Sequence, residues 1–485
     1  MAGRWAMGIV VVAALGACGS QTVPVAQAPQ QARVEAPQAA PAEQPRTLVQ
    51  FAAVDNRFAG QARAGAPVVY AGDVVPINGS QFKPGQMVTL IYEGQPLAAP
   101  VAVDAQGKFS VPVQIPAQAQ PGRHPVVVSA TGPNAAMVVA LKVSPRLAAS
   151  GQERFALQSA KVAEGGLYQS AYSAKSGAVF VTRAAGRPPV AQSELVKLDA
   201  QSLQVLARIT PAQAPERKDR EGKMQPGGVF AVYGVGVDDA RGTVWVTNTR
   251  QNTVAVYRQS DLRLLKQLPP QSVGHPRDVV IDGRLGKAFV STVSPRIEVF
   301  DTRTMQKAGT IEIQSALRGA AARGFASMSL ALDAASGKLF AVSSTGEVAV
   351  IDARSQRVER VFAIEGVTGS SGVAYDARSG RLFVASQGSD DVVIVDAATG
   401  RLLHRALVGA SPLNVAFDPA SGLAYVVNRA GSTIAAVNAE GQVVGNWASG
   451  PQPNHISVGG QGVYVVNSGP ASHPGSGQIT RIQAR

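Results

Sequence analysis

Five segments of the chain read as one hairpin repeated: VWVTNTRQNTVAVYR (244–258), AFVSTVSPRIEVFD (288–301), LFAVSSTGEVAVID (339–352), LFVASQGSDDVVIVD (382–396) and AYVVNRAGSTIAAVN (424–438). Each is a pair of apolar runs, rich in β-branched residues, around a polar turn. The landmarks that end the hairpins are Asp199, Arg258, Asp301, Asp352, Asp396, Asn438 and Gln483, and they are spaced by 59, 43, 51, 44, 42 and 45 residues. A four-stranded unit of about 40–45 residues is the period of a β-propeller blade. The long first spacing holds an insertion, PAQAPERKDREGKMQPGG (211–228), charged and proline-rich, which reads as a mobile surface loop.

One unit can be read strand by strand. SPLNVAFDP (411–419) is the innermost strand, GLAYVVNR the second, STIAAVNA the third and GQVVGNWAS the outermost. The strands are apolar on both faces, as expected where neighbouring blades cover them. Aspartate or glycine at each corner supplies the turn chemistry. Seven landmarks predict seven blades over residues 152–485. The seventh lacks a fourth strand after GVYVVN and GQITRIQAR, while RFALQSAKV (154–162) precedes the first blade and has no role in it. Pairing these two pieces closes the ring and removes an exposed sheet edge.

Residues 48–147 have another character. VVPINGSQFKPGQMVTLIYEG, VAVDAQGKFSVPVQIP and GRHPVVVSATG are β-rich runs without the blade period. Their turn spacing predicts roughly six or seven strands in a sandwich. The expected fold is therefore all-β: a seven-bladed β-propeller with a small N-terminal β-sandwich. The 50 glycines, 31 prolines and charged fraction of 16% agree with short strands joined by turns.

The beginning of the chain reads as a targeting segment. Arg4 precedes the apolar run AMGIVVVAAL, too short to span a bilayer comfortably. The run leads into LGAC, Leu15 to Cys18, so residues 1–17 are expected to be a signal peptide. Residues 18–47, rich in Ala, Gln and Pro, read as a flexible tether. Cys18 is the only cysteine. If it is modified, disulfides, thiol nucleophiles and cysteine metal sites are all excluded.

Three resemblances add to this reading. LGAC resembles the lipobox of bacterial lipoproteins, which implies a lipid anchor on Cys18 after cleavage before it. Gly19 in place of an aspartate then implies the outer membrane, facing the periplasm or the cell surface. INGSQFKPGQMVTLIY with DAQGKFSVPVQIP resembles bacterial immunoglobulin-like modules, here without the inter-sheet cysteine pair; such modules space or bind. YVVN at 425–428 and 464–467, WVTN at 245–248, and the blade openings GHPRDVVID (274–282) and GASPLNVAFD (409–418) resemble the YVTN-type seven-bladed propellers. That family implies binding and surface-associated roles, and some similar periplasmic propellers are implied to bind single-stranded DNA. VDAATGRLLHR and VNAEGQVVGNW resemble quinoprotein repeats, which use a tryptophan in each blade. Only Trp447 fits that pattern, so no quinone cofactor is expected.

Because the repeat is structural, function is sought where the repeats differ. Aligned on their inner-strand corners, the blade openings bring forward Tyr168, Gln169, Tyr233, Arg277, Asp278, Ser329, Ser371, Asn414, Asn454 and His455 as candidates for a channel mouth. Arg277 could hold a carboxylate or phosphate bidentately. Tyr168 and Tyr233 could stack on an aromatic ligand or base, and Asn414, Asn454 and His455 could orient it. The plainer alternative is that these groups and water fill the channel and satisfy one another. The five histidines lie at isolated positions, without metal-ligand spacing. No catalytic residue, metal or cofactor is expected. The leading expectation is a non-catalytic binding or scaffold lipoprotein of the cell envelope, a monomer held to the membrane by its anchor, with a protein or polymer on the propeller face. A binder of polyanion or single-stranded nucleic acid is the second reading, permitted by a net charge of +13. A metal-dependent, lactonase-like hydrolase is the third.

Overall fold

The computed structural model describes residues 53–218, 221–319, 324–460 and 462–485. The expected signal peptide, Cys18 and the expected tether lie outside the described residues. The propeller consists of seven four-stranded antiparallel sheets. Blade 6 is typical: Pro412–Asp418 innermost, then Leu423–Asn428, Thr433–Val437 and Val443–Ala448. Its second strand is buried on both faces because each face meets another blade. Val426 packs with Phe383 and Ile394 of blade 5, while Tyr425 and Val427 pack with Val463 and Val465 of blade 7. This two-sided burial is why the middle strands show no polar alternation.

Two sets of corners recur at one face of the ring. Asp199, Asp301, Asp352 and Asp396 end third strands, and each carboxylate accepts the N–H and the hydroxyl of the Ser or Thr three residues on. Those hydrogen bonds hold all four carboxyls below the usual carboxylate range. Asp376 and Asp418 cap the corners after inner strands in the same way, through Ser379 and Ser421. Short polar side chains of this kind replace the missing ladder bonds at a turn.

The ring closes as the repeat requires. Phe155–Lys161 pairs antiparallel with Gln478–Ala484, Phe155 opposite Ala484 and Lys161 opposite Gln478. Phe155 anchors the joint: its ring lies 4.8 Å from Trp447 and 5.9 Å from Tyr425. Trp447 is therefore a packing residue of the closure.

The N-terminal sandwich sets Gln61–Ala64, Val74–Ser80 and Phe109–Gln114 in one sheet. Val69–Tyr70, Ala135–Ser144, Gly122–Thr131 and Met87–Tyr92 lie in order in the other. Strict alternation along Phe109–Gln114 buries Phe109, Val111 and Val113 against Ile77, Val88 and Val128. The sandwich is seated on the propeller by Lys142. Its ammonium donates to Asp390 Oδ1 (2.6 Å), the carbonyl of Gln387 (2.7 Å) and Ser411 Oγ (3.3 Å), on blades 5 and 6. The connecting segment follows blade 6, where Asn446 Nδ2 donates to the carbonyls of Leu147 and Ala148.

The insertion differs from the expected mobile loop. Arg217–Lys218 pairs with Met224–Gln225, and Gln213 bridges to Val229. Buried Ala214, Val229 and Phe230 fix the base of this ribbon, and Gly222 takes the left-handed conformation its turn requires.

Candidate functional site

The inner strands do not begin cleanly. In six of the seven blades the pairing of the first strand slips near its start, between Leu167 and Ser170, Pro276 and Val279, Ser327 and Ser329, Ser370 and Gly372, Pro412 and Asn414, and Pro453 and His455. A bulge re-aims the unpaired side chain. The residues released in this way include Tyr168, Gln169, Arg277, Asp278, Ser371 and Asn454. Together with the turns between second and third strands, all of these but Asp278 surround a cavity of about 200 Å³ at the mouth of the channel.

Eight of the ten sequence candidates line this cavity: Tyr168, Gln169, Arg277, Ser329, Ser371, Asn414, Asn454 and His455. Tyr233 does not. Its blade has no slip, and its ring stands edge-on against Tyr168 at 4.9 Å, while its hydroxyl accepts Arg250 Nε at 3.4 Å. The two tyrosines are engaged with each other rather than open as parallel stacking faces. Asp278 turns away from the mouth. Its carboxylate accepts Ser329 Oγ (2.9 Å) and the N–H groups of Leu330 and Val279 (3.0 Å each), and so ties blade 3 to blade 4.

Two lining residues escaped the sequence reading, Arg429 and Gln387. Both occupy turns between second and third strands, whereas only blade openings had been aligned. The arginine after YVVN, at the end of one repeat unit, was the available signal.

The chemistry of the mouth is one-sided. Arg429 is held by Asn454 Oδ1, by Ser468 Oγ at 2.8 Å and by Gln452 Oε1 at 3.2 Å, all neutral acceptors. Burial pushes its pKa below the ordinary value; Tyr168 opposes this and the nearby Arg277 reinforces it. Asn454 is used up, since its Nδ2 donates to the Tyr168 carbonyl at 2.7 Å. His455 Nδ1 accepts the Ser170 N–H at 3.3 Å, which puts the ring proton on Nε2. Burial pushes this imidazole down to about 4, against the pull of the Asp278 carboxylate and with the push of Arg277. Asn414 Oδ1 accepts the Ile456 N–H at 3.2 Å, so its Nδ2 is left as a donor. The Arg277 guanidinium has no hydrogen-bond or ion-pair partner among the described residues. Free donors therefore converge from Arg277, Asn414 and His455, beside a half-buried Arg429. Among the described residues lining the cavity there is no acidic side chain.

Among the described residues, no three His, Cys, Asp or Glu side chains gather as ligands of a metal would. The sequence matches no protein-family model and no curated protein. Among solved structures, the chain is similar to virginiamycin B lyase from Staphylococcus aureus, with 13% identity over 68% of this chain and 100% of that one, at a TM-score of 0.50. It is also similar to hydrazine synthase from Kuenenia stuttgartiensis, with 15% identity over 64% of this chain and 94% of that one, at a TM-score of 0.51. Both neighbours are β-propellers, and the likeness at these identities is one of fold.

Proposed function

We propose that this chain is a non-catalytic binding protein of the cell envelope, anchored through Cys18, whose propeller mouth captures an anionic group of its ligand. The observation that carries the proposal is a cavity lined by two arginines and, among the described residues, by no carboxylate. Two guanidiniums, an amide N–H₂ and a neutral imidazole N–H face it, and no carboxylate balances them. A cluster of this kind is satisfied by a carboxylate, phosphate or sulfate. The YVTN-type resemblance fits a binding role, and the sandwich, with its immunoglobulin-like resemblance, serves as a module that holds the ring relative to the anchor. A catalytic role has less support, because the cavity pairs no nucleophile or acid with a general base. A nucleic-acid role has less support than a single anchored acid group. Among the described residues, the one aromatic ring lining the mouth, Tyr168, is engaged edge-to-face with Tyr233 and offers no run of stacking platforms.

Calorimetric titration of the purified chain with citrate, inorganic phosphate and heparin fragments at two salt concentrations tests this. Saturable binding of at least one of them is expected, weakening with salt and lost in Arg277→Ala. Binding that ignores salt and survives the substitution would refute it, as would the absence of any binding.

A further inference from the structure

A second cavity, of about 440 Å³, opens beside the mouth. One wall is built by blade 1 and the insertion ribbon, with Pro188, Pro189, Pro215 and Glu216. The other is built by the loops of blades 2 and 3, with Arg250, Pro270 and His275. The two cavities share no lining residue; between them stands a short row of side chains over which a chain would pass, Arg250 donating to the Tyr233 hydroxyl and the Tyr233 ring meeting Tyr168, which lines the mouth. His275 lies within the field of both Arg250 and Arg277, which together with burial push its imidazole below the ordinary value. The sandwich is seated on blades 5 and 6, across the ring from this groove, and leaves it open.

The groove is rigid and dipolar. Most of its polar side chains are taken up by its own walls. Gln251 bonds the backbone of Ala231 and Val229, Asn252 bonds Gln271 and the His275 N–H, and Thr249 bonds the Pro276 carbonyl. The prolines present flat apolar surface without N–H groups. Positive charge gathers at the end that meets the mouth. Glu216, exposed on the ribbon wall, has no partner among the described residues. A uniform polyanion would gain at the arginines and lose at Glu216. A ligand with an anionic end and a cationic group farther along matches both.

We propose that groove and mouth together bind the carboxyl-terminal segment of a partner polypeptide. Its terminal carboxylate sits between Arg277 and Arg429, its last residues lie along the proline-lined groove, and a lysine or arginine upstream meets Glu216. An extended chain end suits the geometry. The mouth is too small for more than a terminal group, below the roughly 300 Å³ at which ligand pockets usually begin, and the groove provides the length. This inference rests on the mouth being an anion site, and it adds the polymer class and the direction in which the chain lies.

The test is a pentapeptide array with free carboxyl termini, probed with the purified full chain, beside the same array amidated. Retained peptides should come from the free-acid array, be enriched in lysine or arginine upstream, and lose at least 10-fold in affinity on amidation. Arg277→Ala should silence the array. Glu216→Lys, at an exposed position that leaves the fold intact, should shift the enrichment to aspartate or glutamate. Equal binding of amidated peptides, an unchanged preference in Glu216→Lys, or a silent array would overturn the proposal. Citrate titration separates the two levels. If the array is silent while citrate binds in an Arg277-dependent way, the polypeptide inference fails and the anionic mouth stands. If binding of citrate, inorganic phosphate and heparin fragments is absent as well, both fail.

Discussion

The inner strands of the ring have two ends, and they use polar residues in opposite ways. At the corner end, Asp376 and Asp418 are closed on themselves, each carboxylate occupied by the serine three residues on. At the mouth end of the same strands stand Ser371 and Asn414, with Arg277 and His455 on other blades, so that no single residue type recurs in every blade. The corner end repeats because every blade must make the same turn, and its hydrogen bonds are local and complete. The mouth end varies because bulges release one or two residues per blade from the ladder, and what they then face is one another or a ligand. Polar side chains that recur with the period belong to the fold; those that break it are available for recognition.

The largest expected effect breaks the mouth and leaves the fold. Arg277→Ala combined with Arg429→Ala should reduce binding of an anionic ligand by roughly 100-fold or more, the worth of two charge-assisted hydrogen bonds. The melting temperature of Arg277→Ala alone should hold or rise, because a guanidinium without a hydrogen-bond partner among the described residues is removed from beside Arg429, whereas losing Arg429 also costs its hydrogen bonds to Asn454, Ser468 and Gln452. A large fall in stability in Arg277→Ala alone would show that Arg277 plugs the channel. Asp278→Asn should do the reverse. It removes the carboxylate that joins blade 3 to blade 4, so denaturant unfolding should show a loss of about 2–3 kcal/mol, with anion binding retained.

The third effect depends on pH. His455 sits near 4 in the folded chain against its ordinary 6.5. The unfolded chain therefore binds the extra proton between those values. Stability is full above about pH 6.5, falls as pH drops toward 4, and levels off below. The loss should be about 1–2 kcal/mol, allowing for the partial exposure of the ring, and it should be reduced in His455→Gln. The smallest effect lies at the corners. Asp352→Asn should lower the melting temperature by only about 1–2 °C. The lowered corner carboxyls stabilise the fold above their ordinary value of 3.8 and lose that contribution as pH falls below it, a window distinct from that of His455.

The blade count and the closing strand were legible in the sequence because both follow from a period and from apolar runs, which are local properties of the chain. The mouth was legible only as a set of positions. Arg277 and Asp278 are adjacent in sequence and identical in alignment logic, yet one is free and the other is a tie between blades. Both lie in the irregular pairing between Pro276 and Val279; what separates them is that Asp278 meets Ser329 and Leu330 of blade 4, a contact between blades that one strand alone does not reveal. Tyr233 fails to line the cavity for a different reason, since its blade lacks the slip. Arg429 and Gln387 come from turns on the far side of the second strand, brought to the mouth by the hairpin fold rather than by proximity in sequence. The pairing of 217–218 with 224–225 was not foreseen because its anchors, Ala214, Val229 and Phe230, sit outside the charged run that dominates the insertion and suggested a mobile loop.

The joint between Phe155 and Ala484 also has a consequence in time. The strand Phe155–Lys161 leaves the ribosome before any other strand of the ring, and its hydrogen-bonding partner is the last of the ring's strands to arrive. During that interval a bare strand edge and the apolar surface around Phe155 wait on a half-built wheel, while the sandwich, made first, can already fold. Assembly of the ring is therefore a race between late, long-range closure and capture of the waiting edge by another chain. Until closure, residues 155–161 are the edge most open to such capture.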